Sequence, residues 1–200
     1  MTPEKTGFTR LATSWGIAFI VDILGIAVVA LSTLVPYTAG SAQTLAPSEY
    51  HLKAVFLFNF AKFVEWPADG AVNNTGPIVI GVLGDDPFGE DLDRVIMGKT
   101  VNNRPLATRR YRSIQDVEGC HILFVSESEK KNLPVIFKQT RNSGILTVGD
   151  TENFTQQGGM INFVLEDNKV RFEINVAAAL QENLKISSQL LKLARITGGS

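Results

Sequence analysis

The sequence predicts an α/β fold: a mostly parallel central sheet with helices on both faces, finished by an antiparallel C-terminal hairpin. Two patterns predict it. Three apolar runs of strand length, Pro77–Gly84, Cys120–Val125 and Gly144–Val148, are separated by segments with helical spacing, as in strands buried on both faces of a parallel sheet. Further on, Met160–Leu165 and Val170–Val176 flank Glu166-Asp167-Asn168-Lys169. The second of these runs alternates Val170, Phe172, Ile174 and Val176 with Arg171, Glu173 and Asn175, the mark of a hairpin strand with one wet face. With 44% apolar side chains in 200 residues, there is material for one well-packed domain.

The N-terminus reads as an address. Lys5 and Arg10 precede an apolar stretch from Trp15 to Val35, and the small residues Ala39, Gly40, Ser41 and Ala42 follow. This is the order of a secretory signal peptide, with cleavage after Ala42, so that residues 1–42 are the leader and 43–200 a single α/β domain. The apolar run approaches the roughly 20 residues that span a bilayer, which leaves an uncleaved N-terminal anchor as the alternative. Asp22 weighs against the anchor, since an acidic group at mid-membrane costs about 2.5–3.5 kcal/mol on insertion scales. Either way the body is expected outside the cytoplasm, in the periplasm, where nucleoside triphosphates are scarce.

The elements of the body follow in order. Ser48 caps a first helix expected to run to Glu65, with Pro67 as the stop. Its Tyr50, Leu52, Val55, Phe56, Phe58, Phe60, Phe63 and Val64 leave too little polar surface for one clean stripe, so either the domain or a partner covers it on more than one side. After a polar linker, Gly70–Gly76, comes the first apolar strand, broken by Asp85, Asp86 and Pro87 before a helix over Phe88–Met97. Lys99–Val101 and Leu106–Tyr111 read as short strands around an Asn102-Asn103-Arg104-Pro105 turn, followed by a short helix over Ser113–Glu118. A crossover helix is expected over Glu127–Arg141, and a long amphipathic helix over Ala177–Ile196.

Composition removes whole classes of function. Nineteen basic residues against 20 acidic give no field to draw in nucleic acid or an anionic bilayer. The lone Cys120 and the distant His51 and His121 make no metal site. Gly81, Gly84 and Gly89 lack the spacing of a dinucleotide fingerprint, and Ser126 and Ser128 lack a nucleophile elbow. No catalytic residues, metal or cofactor are expected, and the chain is not read as an enzyme.

Three constellations remain. Asp85, Asp86, Ser126 and Asp150 fall at the carboxyl ends of the parallel strands, where open sheets bind ligands, and could form an acidic lip for a cation or polar molecule, or simply cap helices. Ser126 stands where a phosphoacceptor aspartate would be needed and no lysine is expected near Asp150, so aspartyl-phosphate chemistry is excluded. Arg104, Arg109, Arg110 and Arg112 form the one dense basic patch, suited to an acidic partner surface or to guarding a sheet edge. The aromatics Phe56, Phe60 and Phe63 of the first helix are candidate anchors for a protein partner.

Taken together, several segments resemble the YfiR-like family of periplasmic proteins. They are Tyr50–Pro67 (YHLKAVFLFNFAKFVEWP), Ile80–Gly89 (IGVLGDDPFG), Cys120–Ser126 (CHILFVS), Ile145–Asp150 (ILTVGD), Gly158–Phe163 (GGMINF) and Phe172–Asn175 (FEIN). The resemblance implies a three-layer α/β sandwich without established catalysis. It also implies a regulator that docks on the extracytoplasmic part of an inner-membrane diguanylate cyclase and restrains cyclic di-GMP synthesis; a periplasmic receptor for a small ligand at the strand ends is the alternative. Family members use disulfides, and Cys120 matches a half-cystine position, yet the chain offers it no partner. A redox-controlled mechanism is therefore in doubt unless Cys120 pairs between chains, as in a homodimer.

Overall fold

The structure, a computed structural model, describes residues 48–67 and 76–198; the expected leader over residues 1–42 and most of the Gly70–Gly76 linker lie outside the described residues. Helix α1 (Glu49–Phe63) leads into strand β1 (Val64–Glu65), then β2 (Ile78–Leu83), α2 (Asp91–Ile96), β3 (Thr100–Val101), β4 (Arg104–Tyr111) and a 3-10 turn at Ile114–Asp116. Next come β5 (Ile122–Val125), 3-10 turns over Glu127–Asn132, α3 (Leu133–Gln139), β6 (Leu146–Gly149), β7 (Ile161–Glu166) and β8 (Lys169–Asn175). The C-terminal part holds α4 (Val176–Gln181), β9 (Lys185–Ile186), α5 (Ser188–Leu191) and β10 (Arg195–Thr197).

Eight strands form one sheet in the order β10-β8-β7-β6-β5-β2-β4-β3, and β1 pairs with β9 in a separate two-stranded ribbon. The five strands from β7 to β4 run parallel, β7 and β8 form the expected antiparallel hairpin, and β3 turns back on β4. The predicted fold class holds: a mostly parallel sheet, an antiparallel hairpin and a helical layer on each face. Every residue of β2, β5 and β6 is buried, which is why these runs are apolar without alternation.

One face of the sheet carries the larger core. There Ile80, Val82, Phe124, Val148, Phe163 and Phe172 meet Leu57 and Phe60 of α1 and Phe88 and Leu92 at α2. Phe56 and Phe60 pack on both Phe163 and Phe172 with ring centroids 5.3–6.0 Å apart, a cluster in which each pair adds about 0.5–1.5 kcal/mol beyond burial. The opposite face packs Leu83, Leu123 and Val125 against Leu133, Ile136 and Phe154.

Several boundaries differ from expectation, among them the helices over Phe88–Met97 and Ser113–Glu118, which shorten to Asp91–Ile96 and to a 3-10 turn over Ile114–Asp116. Helix α1 stops at Phe63 because Val64 and Glu65 leave it to pair with Ile186 and Lys185. The Asn102-Asn103 turn is two residues long, both with positive φ (50° and 62°), so Arg104 and Pro105 belong to β4 rather than to the loop. The Glu127–Arg141 helix begins as 3-10 turns and becomes α only at Leu133, where Pro134 suits a helix start.

The largest correction concerns Ala177–Ile196, which is not one helix. Asn183, at φ 56°, ends the first piece, Ser187 caps the second, and β9 and β10 take the remainder. The Ser187 N–H donates to the Phe63 carbonyl at 2.8 Å, and Arg195–Thr197 pair in parallel with Glu173–Asn175. Hydrogen bonds to α1 and β8 thus replace those a continuous helix would have made within itself, while Ala179, Leu184 and Leu190 still reach the core.

Candidate functional site

The carboxyl ends of β2, β5 and β6 lie side by side, and the sequence-predicted residues Asp85, Asp86, Ser126 and Asp150 all follow those ends. Their surroundings differ from an open acidic lip. The turns over Glu127–Asn132 close on the end of β2: Asp85 donates its N–H to Ser128 Oγ at 3.0 Å, and a Cβ on Gly84 would stand 2.4 Å from that oxygen. Ser126 is buried, and its N–H donates to the Leu83 carbonyl. Asp86 accepts the Phe88 N–H at 2.8 Å and the Arg110 Nε–H at 2.9 Å, so it both caps a turn and pairs with a cation. Asp85 stays exposed.

Asp150 makes the tightest arrangement. Its Oδ2 accepts from Lys53 Nζ at 2.7 Å and from the Tyr50 hydroxyl at 3.0 Å, with the Asp150 and Lys53 side chains 8% and 4% exposed. Lys53 also pairs with Glu49 one helical turn back, at 2.6 Å, and lies 4.3 Å from the Tyr50 ring centre. Burial pushes the Lys53 ammonium down, but hydrogen bonds to Asp150 and Glu49 outweigh it and leave its pKa above the ordinary lysine value. Burial also raises the Tyr50 hydroxyl, and the Asp150 charge adds to that. The arrangement is a buried clamp between α1 and the end of β6, in which one ammonium is shared by two carboxylates. Among the described residues no group of His, Cys, Asp and Glu could hold a metal ion.

Sequence reasoning placed Asp150 at the strand end but missed Lys53 and Tyr50 as its partners. The Glu49–Lys53 spacing was a visible signal of one pair; the contact across 97 residues had none.

The arginines separate into distinct roles. Arg110 bridges Asp86 and Asp93, donates to the Gly89 carbonyl, and so ties α2 to β4. The hydrogen bond from Arg110, more than any other cause, draws the Asp93 carboxyl below its ordinary pKa. Arg104 donates from Nε to the Gly76 carbonyl at 2.8 Å and contacts His121 Nε2 at 2.8 Å. Arg109 is exposed and donates to the Glu118 carbonyl, and Arg112 is exposed beyond the strand end. The patch therefore presents Arg109, Arg110 and Arg112 at the surface, with Arg110 held in ion pairs to Asp86 and Asp93.

The aromatic anchors also separate. Phe60 is 0% exposed and belongs to the core, so it offers no surface to a partner, contrary to expectation. Phe56 is half-buried against Phe163 and Phe172, and Phe63 is half-buried at the end of α1 with Lys62 Nζ 5.7 Å from its ring centre. Leu52 is exposed on the same helix.

Cys120 sits 1% exposed at the head of β5, 2.8 Å from where a Cβ on Gly81 would stand, with its thiol on the Ile122 carbonyl. Burial pushes the thiol up to about 12. A disulfide between two copies would have to form from inside the core, which sets Cys120 aside as a homodimer link. We expect a thiol reagent such as DTNB to leave the native protein untouched at neutral pH and to label one thiol per chain after unfolding in guanidinium. Fast native labelling would contradict this burial.

A family model described as YfiR/HmsC-like matches residues 50–195. The chain belongs to the YfiR/HmsC-like family. The match begins at Tyr50 and ends at Arg195, so it spans both partners of the Lys53–Asp150 clamp and the whole sheet up to the start of β10. No curated protein sequence matches the chain. Among solved structures it is similar to an ABC domain from Streptococcus pneumonia in complex with L-Trp, at 11% identity and a TM-score of 0.45. That likeness covers 60% of this chain and 56% of that one, little more than half its length. Among the described residues no helix is long and apolar enough to cross a membrane.

Proposed function

We propose that this YfiR/HmsC-like chain is an exported, non-enzymatic regulator of the periplasm. It binds the extracytoplasmic part of an inner-membrane signalling protein, a diguanylate cyclase, and holds cyclic di-GMP synthesis down. The observation that carries the reading is the family match over residues 50–195. Two others support it: the leader pattern in the sequence, and the internal neutralisation of Asp86 and Asp150, which leaves those carboxylates engaged rather than poised for acid–base work.

Apolar area on α1, around Leu52 and Phe63, supplies the anchors, and the outward Arg109 and Arg112, on β4 and beyond its end, act as steering charge from another part of the surface. Aromatic and aliphatic anchors hold a partner, while rim charges steer it and set the association rate.

The test is binding of the purified chain to the extracytoplasmic segment of an inner-membrane diguanylate cyclase from the same organism, by calorimetry and by association kinetics. Arg109→Glu should slow association by about tenfold at low salt, and less at high salt, with an unchanged melting temperature. Wild-type protein that leaves the segment unbound, or cyclic di-GMP levels unmoved when the gene is deleted, would remove the reading.

A further inference from the structure

Among the described residues the outer edge of β4 is open. Beyond Pro105 no described strand pairs with β4 on the side away from β2, because β3 covers only Arg104 and Pro105. The direction of the backbone groups follows from one bond: Gly84 N–H donates to the Tyr111 carbonyl, so Tyr111, Arg109 and Ala107 turn their N–H and C=O toward β2. Thr108 and Arg110, one residue out of phase, turn theirs outward, where no described element pairs with them.

An open edge of this kind is a template for another strand, and its side chains choose the strand. From Lys99 to Gln115 the chain carries Lys99, Arg104, Arg109, Arg110 and Arg112 and no Asp or Glu. Asp86 and Asp93 reach across from the α2 side to neutralise Arg110. Arg109 donates to the Glu118 carbonyl and lies beside the Tyr111 hydroxyl, and among the described residues no carboxylate pairs with it. A second copy of β4 laid along this edge would set arginine against arginine, which disfavours self-pairing. An acidic strand meets the opposite situation, with two outward pairs of backbone groups and an arginine whose charge is uncompensated.

We propose that β4 takes up an extended acidic segment of a partner protein as an added strand, with backbone bonds at Thr108 and Arg110 and a carboxylate beside Arg109. The choice of a protein partner rests on the proposed function; the edge chemistry does not.

The experiment is residue-resolved amide exchange on the full chain, expressed with its own N-terminal segment and kept in mild detergent. The probes are a blocked heptapeptide alternating glutamate with valine, and the same peptide with lysine for glutamate. The glutamate peptide should slow exchange at Thr108 and Arg110 by roughly tenfold when nine-tenths of the sites are filled. Ala107, Arg109 and Tyr111, already bonded to β2, should change little. The lysine peptide should give no protection, and Arg109→Glu should reverse the preference between the two. Absence of protection at millimolar glutamate peptide, equal protection by both peptides, or protection confined to another element would overturn the inference.

Repeating the exchange with the cyclase segment separates the two readings. Binding without protection at Thr108 and Arg110 removes the strand-addition mode and keeps the regulator. Protection by the peptide with no binding of the segment removes the proposed partner and keeps the edge site.

Discussion

Lys53→Met should lower folding stability by about 3–5 kcal/mol, the cost of leaving a buried counterion alone, and lower the melting temperature by at least about 6 °C. The reason is geometric. Lys53 is 3% exposed, its ammonium lies 2.7 Å from Asp150 Oδ2, and the other Asp150 oxygen is buried with no hydrogen-bond donor among the described residues. Without the ammonium, Asp150 keeps only the Tyr50 hydroxyl. The pair itself is a different matter, because its attraction is offset by the desolvation of both ions. The double variant Lys53→Met with Asp150→Leu should therefore recover much of the loss. Thermal or denaturant melting of the three variants decides the matter. A single variant as stable as wild type would mean that the clamp is not formed in solution.

The sign of the pH dependence follows from the raised Lys53 pKa. Stabilisation by this ammonium is complete below the pKa of an unfolded lysine and is lost as pH rises through the higher folded value. From neutral to mildly alkaline pH the Lys53 contribution to the melting temperature should stay flat, and only strongly alkaline solution should erode it.

Gly149→Ala is the second large effect, at about 3 kcal/mol, the upper range for overpacking a dense core. Gly149 is a buried β6 residue with no unusual backbone angle, and the sheet register would accept alanine. What it meets is Phe154, wholly buried across the same face: an added Cβ would stand 2.6 Å from two carbons of that ring. Gly159 pins the ring from another side, its virtual Cβ 2.2 Å away. The ring is therefore held between two glycines and has nowhere to move. A cycle with Phe154→Leu tests this. Leucine alone should destabilise by leaving a void, but Gly149→Ala should cost clearly less in the leucine background than in wild type. Additive effects would show that the ring moves aside.

Such partners explain how far the sequence could be read. The apolar runs of β2, β5 and β6 were legible because burial on two faces writes itself into local composition, whereas the alternation of β8 marked the strand but not a wet face, since Glu173 is buried against Thr155 and Arg195. Ser48 was legible as a cap, and its hydroxyl accepts the His51 N–H at 3.1 Å. The stretch from Ala177 to Ile196 was not: its apolar spacing fits a helix, and only pairing with Val64–Glu65 and with β8 divides it. The basic patch was legible as a patch, but one arginine looks much like the next until Asp93 and Asp86 are placed beside Arg110.

By itself the sequence determined the layers, the hairpin and the segments that carry the family likeness, since each of these depends on residues near one another along the chain. The tertiary structure alone decided that Phe60 is core and not contact, that Asp150 is matched by a lysine 97 residues away, and that β4 is left with an open side. Those outcomes depend on which elements meet across the sheet, and the energy of a contact between distant segments leaves no local period for a sequence to display.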